Sequence, residues 1–402
     1  MHSPARPVAT LSATVIIPAA RDGYGPSGKP CWLREHPAGL LVIHHLLSSL
    51  DLALVPRVII ATTAAHVQRW LKGDPTSLVA HLKSSGVVPA STEVVVLPIE
   101  QETSSAADTV ACAIRQCNVE GSIFIKDQDG CFRHRVVPGA DYVVGLRLTE
   151  NCEVENLPSK SFLLTTGALL SNIVEKRVVS DVICVGGYAF QQASGFLESL
   201  AAVERIHERV AQNLNIGSSS SSTSAQSAAA QPHRIFLSHL VQYQMLHQGK
   251  VFSVELSQTF SDWKSDAAWR RYVQRFRNVE VTIEGVLFSS QDSNDVMGNI
   301  GTANWKPVEA NIEYLRSLPI DRTHITLRSS RPVADEQKIR ALLEASKVPF
   351  NNLILSSFSS TTFLVTAYSA DGDHTSHPSG VAYNIPESSR QQLGSVLHFP
   401  PH

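Results

Sequence analysis

The hydrophobic positions in the first half of the chain fall into short apolar runs that alternate with segments of helical periodicity. Short apolar runs bounded by glycine or polar residues are typical of buried strands, and apolar positions at intervals of three and four are typical of helices. This pattern predicts strands at 14–20, 57–62, 93–98 and 121–126 and helices at 40–50, 66–72, 78–83 and 103–114. Because strands that alternate with helices form crossover units, we expect an α/β fold with a mostly parallel sheet.

The pattern continues after this first block and then starts again near residue 279. We predict strands at 141–148, 181–190 and 251–254, a pair of strands at 161–164 and 171–176 that meet across a turn near Gly167, and a helix at 196–213. The serine-rich stretch 217–231 has too few apolar residues to pack, so we interpret it as a disordered surface loop. A second, smaller α/β domain is predicted from strands at 279–288, 324–327, 352–355 and 362–367 and helices at 311–318 and 335–346. The predicted domains are 1–275 and 276–402.

The composition is that of an ordinary globular protein and argues against several classes of partner. The chain has 402 residues, 43% of them hydrophobic, and a formal net charge of −2, so no overall basic field suggests nucleic acid or a membrane surface. No apolar run approaches the length of about 18 residues that a membrane span needs, and the N-terminus does not have the pattern of a signal peptide. Six scattered cysteines without a C-x-x-C spacing favour free thiols and a cytoplasmic location. A second copy of the chain is a candidate partner.

Two carboxylates follow the apolar run at 121–126. Asp127 and Asp129 come directly after it, and ligands of open α/β sheets gather at the carboxyl ends of the strands. Two hard oxygen donors there suit Mg²⁺ or Mn²⁺ carrying the phosphates of a nucleotide. An Asx-type turn that binds no metal explains the same spacing, so both interpretations stay open at this point.

A loop rich in glycine follows the first predicted strand. It contains Gly23, Gly25 and Lys29, and such a loop can cradle phosphates because glycine lets backbone N–H groups approach while lysine supplies charge. Its spacing is neither that of a Walker loop nor G-x-G-x-x-G. A plain surface loop is the alternative.

Four segments taken together resemble a known family. FIKDQDGCF at 124–132, NIVEK at 172–176, DVICVGGY at 181–188 and FSDW at 260–263 are similar, in order and spacing, to motifs of the sugar-phosphate nucleotidyltransferases. These are GT-A-like enzymes of the pyrophosphorylase type, and the forms most similar to this chain act in capsule and surface-polysaccharide biosynthesis. The chain differs from them at Gly130, where the family has Asn, and at Lys264, where it has a small residue.

The resemblance implies metal-dependent transfer of a nucleoside monophosphate from an NTP to a sugar phosphate or similar phosphorylated small molecule, with release of pyrophosphate. It implies that Asp129 and Asp262 hold Mg²⁺ or Mn²⁺ and act in catalysis with Lys29, which would lie near the phosphates. The substrate-binding residues that it implies are Gly23, Gly25, Asp127, Glu175, Lys176 and Gly186.

Residues 276–402 resemble the haloacid-dehalogenase-like (HAD-like) phosphatases that are often fused to such transferases. Thr282 and Glu284 stand where that family has its nucleophilic and acidic aspartates, and Ala367 stands at a later metal-binding position. Aspartyl-phosphate chemistry needs the nucleophilic carboxylate, so we do not expect phosphatase activity.

Two other functions fit the same motifs. The chain could be a catalytically inactive relative that binds a nucleotide or a protein partner, or a GT-A glycosyltransferase, since Asp127 and Asp129 also match the metal motif of those enzymes.

Overall fold

The chain consists of two compact units, Met1–Trp269 and Arg270–His402. A computed structural model describes residues 11–21, 28–100, 103–149, 154, 156–216, 234–290 and 305–357. The predicted boundary between 275 and 276 lies shortly after the observed division, and the predicted serine-rich loop lies outside the described residues. Among the described residues, no helix has the length and apolar character needed to cross a membrane.

The first unit alternates strands and helices, as the sequence pattern predicts. In chain order its elements are β1 (Ala13–Pro18), α1 (Val42–Ser48), β2 (Leu50–Asp51), β3 (Arg57–Thr63), α2 (Ala64–Trp70), α3 (Thr76–Ser84), β4 (Glu93–Ile99), α4 (Ala106–Gln116), β5 (Ser122–Lys126), β6 (Gly130–Cys131), β7 (His134–Arg135), β8 (Tyr142–Arg147), β9 (Ser161–Thr166), β10 (Leu169–Glu175), β11 (Val182–Phe190), α5 (Ala193–Ile216), α6 (Leu237–Gln248), β12 (Ser253–Leu256), β13 (Ser261–Asp262) and α7 (Asp266–Val273), which ends in the second unit.

A nine-stranded sheet with the order β4-β3-β1-β5-β11-β8-β12-β10-β9 forms the centre of this unit. The first four strands in that order are parallel. Beyond them the sheet is mixed, because β11 runs antiparallel to both β5 and β8 and only β12 pairs in parallel with β8. The prediction of a mostly parallel sheet is therefore wrong for this half. The predicted hairpin near Gly167 is confirmed, since β9 and β10 pair antiparallel, and so short a connection cannot join parallel strands.

The two middle strands of the sheet are buried along their whole length. Every residue of β5 and of β11 is buried, which is typical of strands covered on both faces. Phe190 at the end of β11 is fully buried, and its ring contacts those of Phe196 and Phe252 edge to face. Phe190 pairs with Ile123 near the start of β5, and Gly187 pairs with Lys126 at its carboxyl end.

The second unit is a small α/β structure in its described part. Its elements are β14 (Arg277–Thr282), β15 (Phe288–Ser290), β16 (Trp305–Pro307), α8 (Glu309–Ser317), β17 (Thr323–Arg328), α9 (Glu336–Ala345) and β18 (Asn352–Ile354). The strands β14, β17 and β18 form a parallel sheet in that order, and β15 pairs with β16. The strand predicted at 279–288 is divided by a turn at Gly285, whose φ is +76°.

The residues expected to replace the phosphatase machinery lie at the end of β14. Thr282 is the last residue of that strand, and the carboxylate of Glu284 accepts a hydrogen bond of 2.5 Å from the hydroxyl of Ser329. Ala367 and the strand predicted at 362–367 lie outside the described residues. The likeness to HAD-like phosphatases stays a prediction.

Candidate functional site

A buried lysine anchors the loop that follows β5. Lys126 has no exposed surface, and its ammonium donates to the backbone oxygens of Asp127, at 3.0 Å, and of Gly130. The same ammonium lies 4.2 Å from the ring centre of Phe132. Burial lowers the pKa of Lys126, while two carbonyls and an aromatic face stabilise the charge. The loop 127–130 is thereby held in one conformation.

Asp127 packs directly against Gly186 of β11. The N–H of Asp127 donates to the oxygen of Gly186 at 2.8 Å. Gly186 has a φ of +87°, and a Cβ atom there would lie 2.6 Å from Oδ2 of Asp127, so only glycine fits this position without strain. Burial, with a further contribution from Asp129, raises the pKa of Asp127 to about 6, although Lys264, Lys126 and Lys160 act in the opposite direction.

Asp129 and Asp262 are brought together by a short strand pair. The strands β6 and β13 run antiparallel with Asp262 opposite Gly130, and the N–H of Trp263 donates to the backbone oxygen of Asp129 at 2.8 Å. The ring of Phe260 fills the space beside Gly130, where a Cβ atom would lie 2.8 Å from that ring. This contact explains why a residue larger than glycine does not fit at 130.

A lysine that the sequence analysis did not single out lies against Asp262. Nζ of Lys160 is 2.5 Å from Oδ2 of Asp262, and the two side chains are only 7% and 4% exposed. The backbone N–H of Lys264 donates to Oδ1 of the same carboxylate at 3.2 Å. Lys160 precedes β9 in a polar stretch without periodicity, so no local pattern marks it. The position of Lys160 is fixed by the hairpin of β9 and β10, because the backbone oxygen of Lys160 accepts from the N–H of Lys176 at 2.9 Å.

Glu175, at the end of β10, is held by two hydroxyl groups. Its Oε2 accepts hydrogen bonds from Ser161 at 2.5 Å and from Ser238, at the start of α6, at 2.7 Å. The next residue, Lys176, has a φ of +55° and its ammonium lies 4.3 Å from the ring centre of Phe236. Glu175 is thus oriented by two neutral donors, and its side chain lines the pocket.

These segments surround one pocket at the carboxyl end of β5, with a volume of about 100 Å³. Its charged lining combines acidic and basic side chains, namely Asp127, Asp129, Glu175, Asp262, Lys160, Lys264 and Arg234. Of the predicted site residues, the structure brings together the four acids and Gly186. Lys29 is described but is not among the lining residues, nor is Lys176, and Gly23 and Gly25 lie outside the described residues.

One of the two acids expected to hold a divalent cation is already paired with other groups. In the described part of the chain, no group of three or more His, Cys, Asp or Glu side chains could hold a metal ion. Both oxygens of Asp262 are already engaged, one by the ammonium of Lys160 and one by a backbone N–H. A cation that accepted Oδ2 as a ligand would lie beside that ammonium and be repelled by it. The prediction that Asp129 and Asp262 share Mg²⁺ or Mn²⁺ gains no support from this geometry.

Solved structures with a similar chain path are nucleotidyltransferases. They include a nucleoside-diphosphate-sugar pyrophosphorylase from Vibrio cholerae RC9, with 15% identity, 65% of this chain and 99% of that chain covered, and a TM-score of 0.46. An inositol-1-phosphate CTP transferase from T. maritima has 12% identity, coverage of 65% and 92%, and a TM-score of 0.41. A UTP-bound UGPase from Acinetobacter baumannii has 13% identity, coverage of 66% and 93%, and a TM-score of 0.44.

Sequence comparisons add nothing to these likenesses. No protein-family model matches the chain, and no curated protein matches it. Similarity at the level of these structures does not by itself assign an activity or a ligand, so the function has to be argued from the pocket.

Proposed function

We propose that the first unit transfers a nucleotidyl group from an NTP to a phosphorylated sugar or a similar phosphorylated small molecule and releases pyrophosphate. The observation that carries this proposal is the meeting of two distant acidic segments, 127–129 and 262, with three basic side chains in one pocket at the carboxyl end of β5. Ligands of α/β sheets bind at that edge. The motif resemblance covers the same segments and supports the same reaction.

The reaction needs little from the protein beyond position and charge. An oxygen of the acceptor's phosphate attacks the α-phosphorus of the NTP, a new P–O bond forms, and the bond from the α-phosphorus to the bridging oxygen breaks as pyrophosphate leaves. Because the attacking phosphate is already ionised, no general base has to remove a proton. The ammonium groups of Lys160 and Lys264 are suited to stabilise the charge that develops on the phosphates.

We assign the acceptor to the side of the pocket formed by Glu175. Its carboxylate is oriented by Ser161 and Ser238 and can accept hydrogen bonds from the hydroxyl groups of a sugar or polyol. Asp127 and Gly186 form the adjoining wall. Lys29 and the loop that carries Gly23 and Gly25 keep their predicted role at the phosphates as part of this proposal.

A non-catalytic binding protein is the second candidate. The observation that favours it is the pairing of Asp262 with Lys160, which occupies a carboxylate that the resemblance assigns to metal-dependent catalysis. Such a protein would bind the same ligands without turnover.

Pyrophosphate release separates the two candidates. The full-length protein is incubated with each of the four NTPs and a panel of sugar phosphates, with and without Mg²⁺, and pyrophosphate is measured by a coupled assay. Release that depends on both substrates and falls strongly in Asp129→Ala, but not in the exposed control Glu120→Ala, supports the transferase. Binding without release in every combination supports the binding protein. Turnover of a nucleotide-sugar without pyrophosphate would instead indicate a glycosyltransferase.

A further inference from the structure

The ion pair between Lys160 and Asp262 is unusual in its burial. Its side chains are 7% and 4% exposed, whereas those of the surface pair Arg147 and Asp181 are 55% and 59% exposed. Charges removed from water are costly unless they are paired. Lys160 therefore stays close to Asp262, and its ammonium has a defined position in the pocket wall.

The neighbourhood of this pair leaves the ammonium able to bind a second anion. An ammonium has three N–H donors, and among the described residues Asp262 is the acidic partner of Lys160, so further donors can serve oxygens in the pocket. The ring of Phe260 lies on one side, with its centre 5.4 Å from Nζ. Lys264, which also lines the pocket, adds a second positive charge.

A divalent cation at Asp262 would compete with the contacts that this carboxylate already makes. Mg²⁺ requires oxygen ligands at about 2.1 Å in near-octahedral arrangement. Asp262 offers both of its oxygens to existing donors, so a cation bound between Asp129 and Asp262 would have to displace the ammonium of Lys160.

We propose that the ammonium of Lys160, held by Asp262, takes the place of the divalent cation and binds the phosphates of the nucleotide, so that the pocket binds phosphates without a metal. This inference rests on the proposed function for the identity of the ligand. It differs from the motif resemblance, which implies that the reaction depends on Mg²⁺. Lys160 is a binding residue in this scheme, and Asp262 is the residue that positions it.

The test measures the affinity of the full-length protein for each NTP and for inorganic tripolyphosphate, by calorimetry, in EDTA and in Mg²⁺. The wild type should bind in EDTA, and Mg²⁺ should not tighten the binding. Lys160→Met should weaken binding in EDTA by about 30-fold, the loss expected when one partner of a buried charge contact is removed. Lys160→Arg, which keeps the charge, should retain most of it. The exposed control Lys83→Met should leave binding unchanged.

A second measurement follows the metal directly. Mn²⁺ is titrated into each variant and its free concentration is read by electron paramagnetic resonance. Lys160→Met frees Asp262 and should gain a Mn²⁺ site that the wild type lacks. Because the wild type itself is tested in both buffers, the inference remains falsifiable even if Lys160→Met does not fold, as judged by circular dichroism.

The outcomes separate this inference from the proposed function. Nucleotide binding by the wild type only when Mg²⁺ is present, or a wild-type Mn²⁺ site that Asp262→Asn removes, overturns the inference and leaves nucleotidyl transfer standing. Binding in EDTA without pyrophosphate release supports the inference and contradicts the transferase. Failure of every phosphate probe to bind in either buffer overturns both.

Discussion

Replacing Gly186 by alanine is the sharpest test of the pocket wall. The residue has a φ of +87°, in the left-handed region that side chains avoid, and the new methyl group would lie 2.6 Å from Oδ2, 2.7 Å from Cβ and 2.9 Å from Cγ of Asp127. Asp127 cannot simply move away, because its N–H is bonded to the oxygen of Gly186 itself at 2.8 Å. The substitution therefore combines backbone strain with overpacking.

The two costs can be separated by a matched control. Gly39 has the same φ of +87°, but a Cβ atom there would meet nothing within 4 Å. Gly39→Ala should lose about 1–2 kcal/mol of stability, the cost of the left-handed backbone alone. Gly186→Ala should lose that amount and, in addition, about 1–3 kcal/mol for the inserted methyl group.

Urea unfolding followed by tryptophan fluorescence measures both variants, since Trp32 and Trp263 are buried in the first unit and report on its unfolding. We expect a lower midpoint for Gly186→Ala than for Gly39→Ala. Equal midpoints would refute the packing of Asp127 against β11, and with it the geometry of the pocket wall.

Three further predictions concern the core and the loop after β5. Lys126→Met should lower the free energy of unfolding by about 3 kcal/mol in urea titrations, because two carbonyls lose a charged donor, whereas the exposed Lys83→Met should have little effect. Phe190→Ala should cost about 3–5 kcal/mol in the same assay, since a fully buried ring leaves a cavity. Burial lowers the pKa of His134 to about 4 from 6.5. The stability that the neutral, buried imidazole contributes is therefore complete above pH 6.5 and is lost as the pH falls toward 4. Between pH 6.5 and 4, His134→Gln should lose less stability than the wild type.

The first part of the fold could be predicted from periodicity because its signals are local. The apolar runs that became β1, β3, β4 and β5 are bounded by polar residues and separated by helical segments, and such a chain forms parallel crossover units. The direction of β11 could not be predicted in the same way. A run that is buried on both faces has the same composition whether its neighbours are parallel or antiparallel, and here they are antiparallel.

The residues of the candidate site also differ in whether a local sequence pattern reveals them. Asp127 and Asp129 were found from their place after a buried strand, and Asp262 only through motif resemblance, because nothing near it in the chain indicates the pairing with Gly130. Lys160 was missed altogether. Its importance arises from a contact across the fold, made when the hairpin of β9 and β10 closes beside β13, and a lone lysine in a polar stretch has no pattern that reveals this.

The structure shows what surrounds the two residues that differ from the transferase motifs. In the sequence, Gly130 and Lys264 are isolated departures. In the structure, the ring of Phe260 fills the space beside Gly130 and lies near the ammonium of Lys160. The backbone N–H of Lys264 donates to the carboxylate of Asp262, which pairs with Lys160. A pocket that had merely lost its ligands would leave buried charges without partners, which is costly. Here the buried carboxylate of Asp262 has two partners, the ammonium of Lys160 and the backbone N–H of Lys264. The ammonium of Lys160 thus lies against the carboxylate that the motif resemblance assigns to a metal.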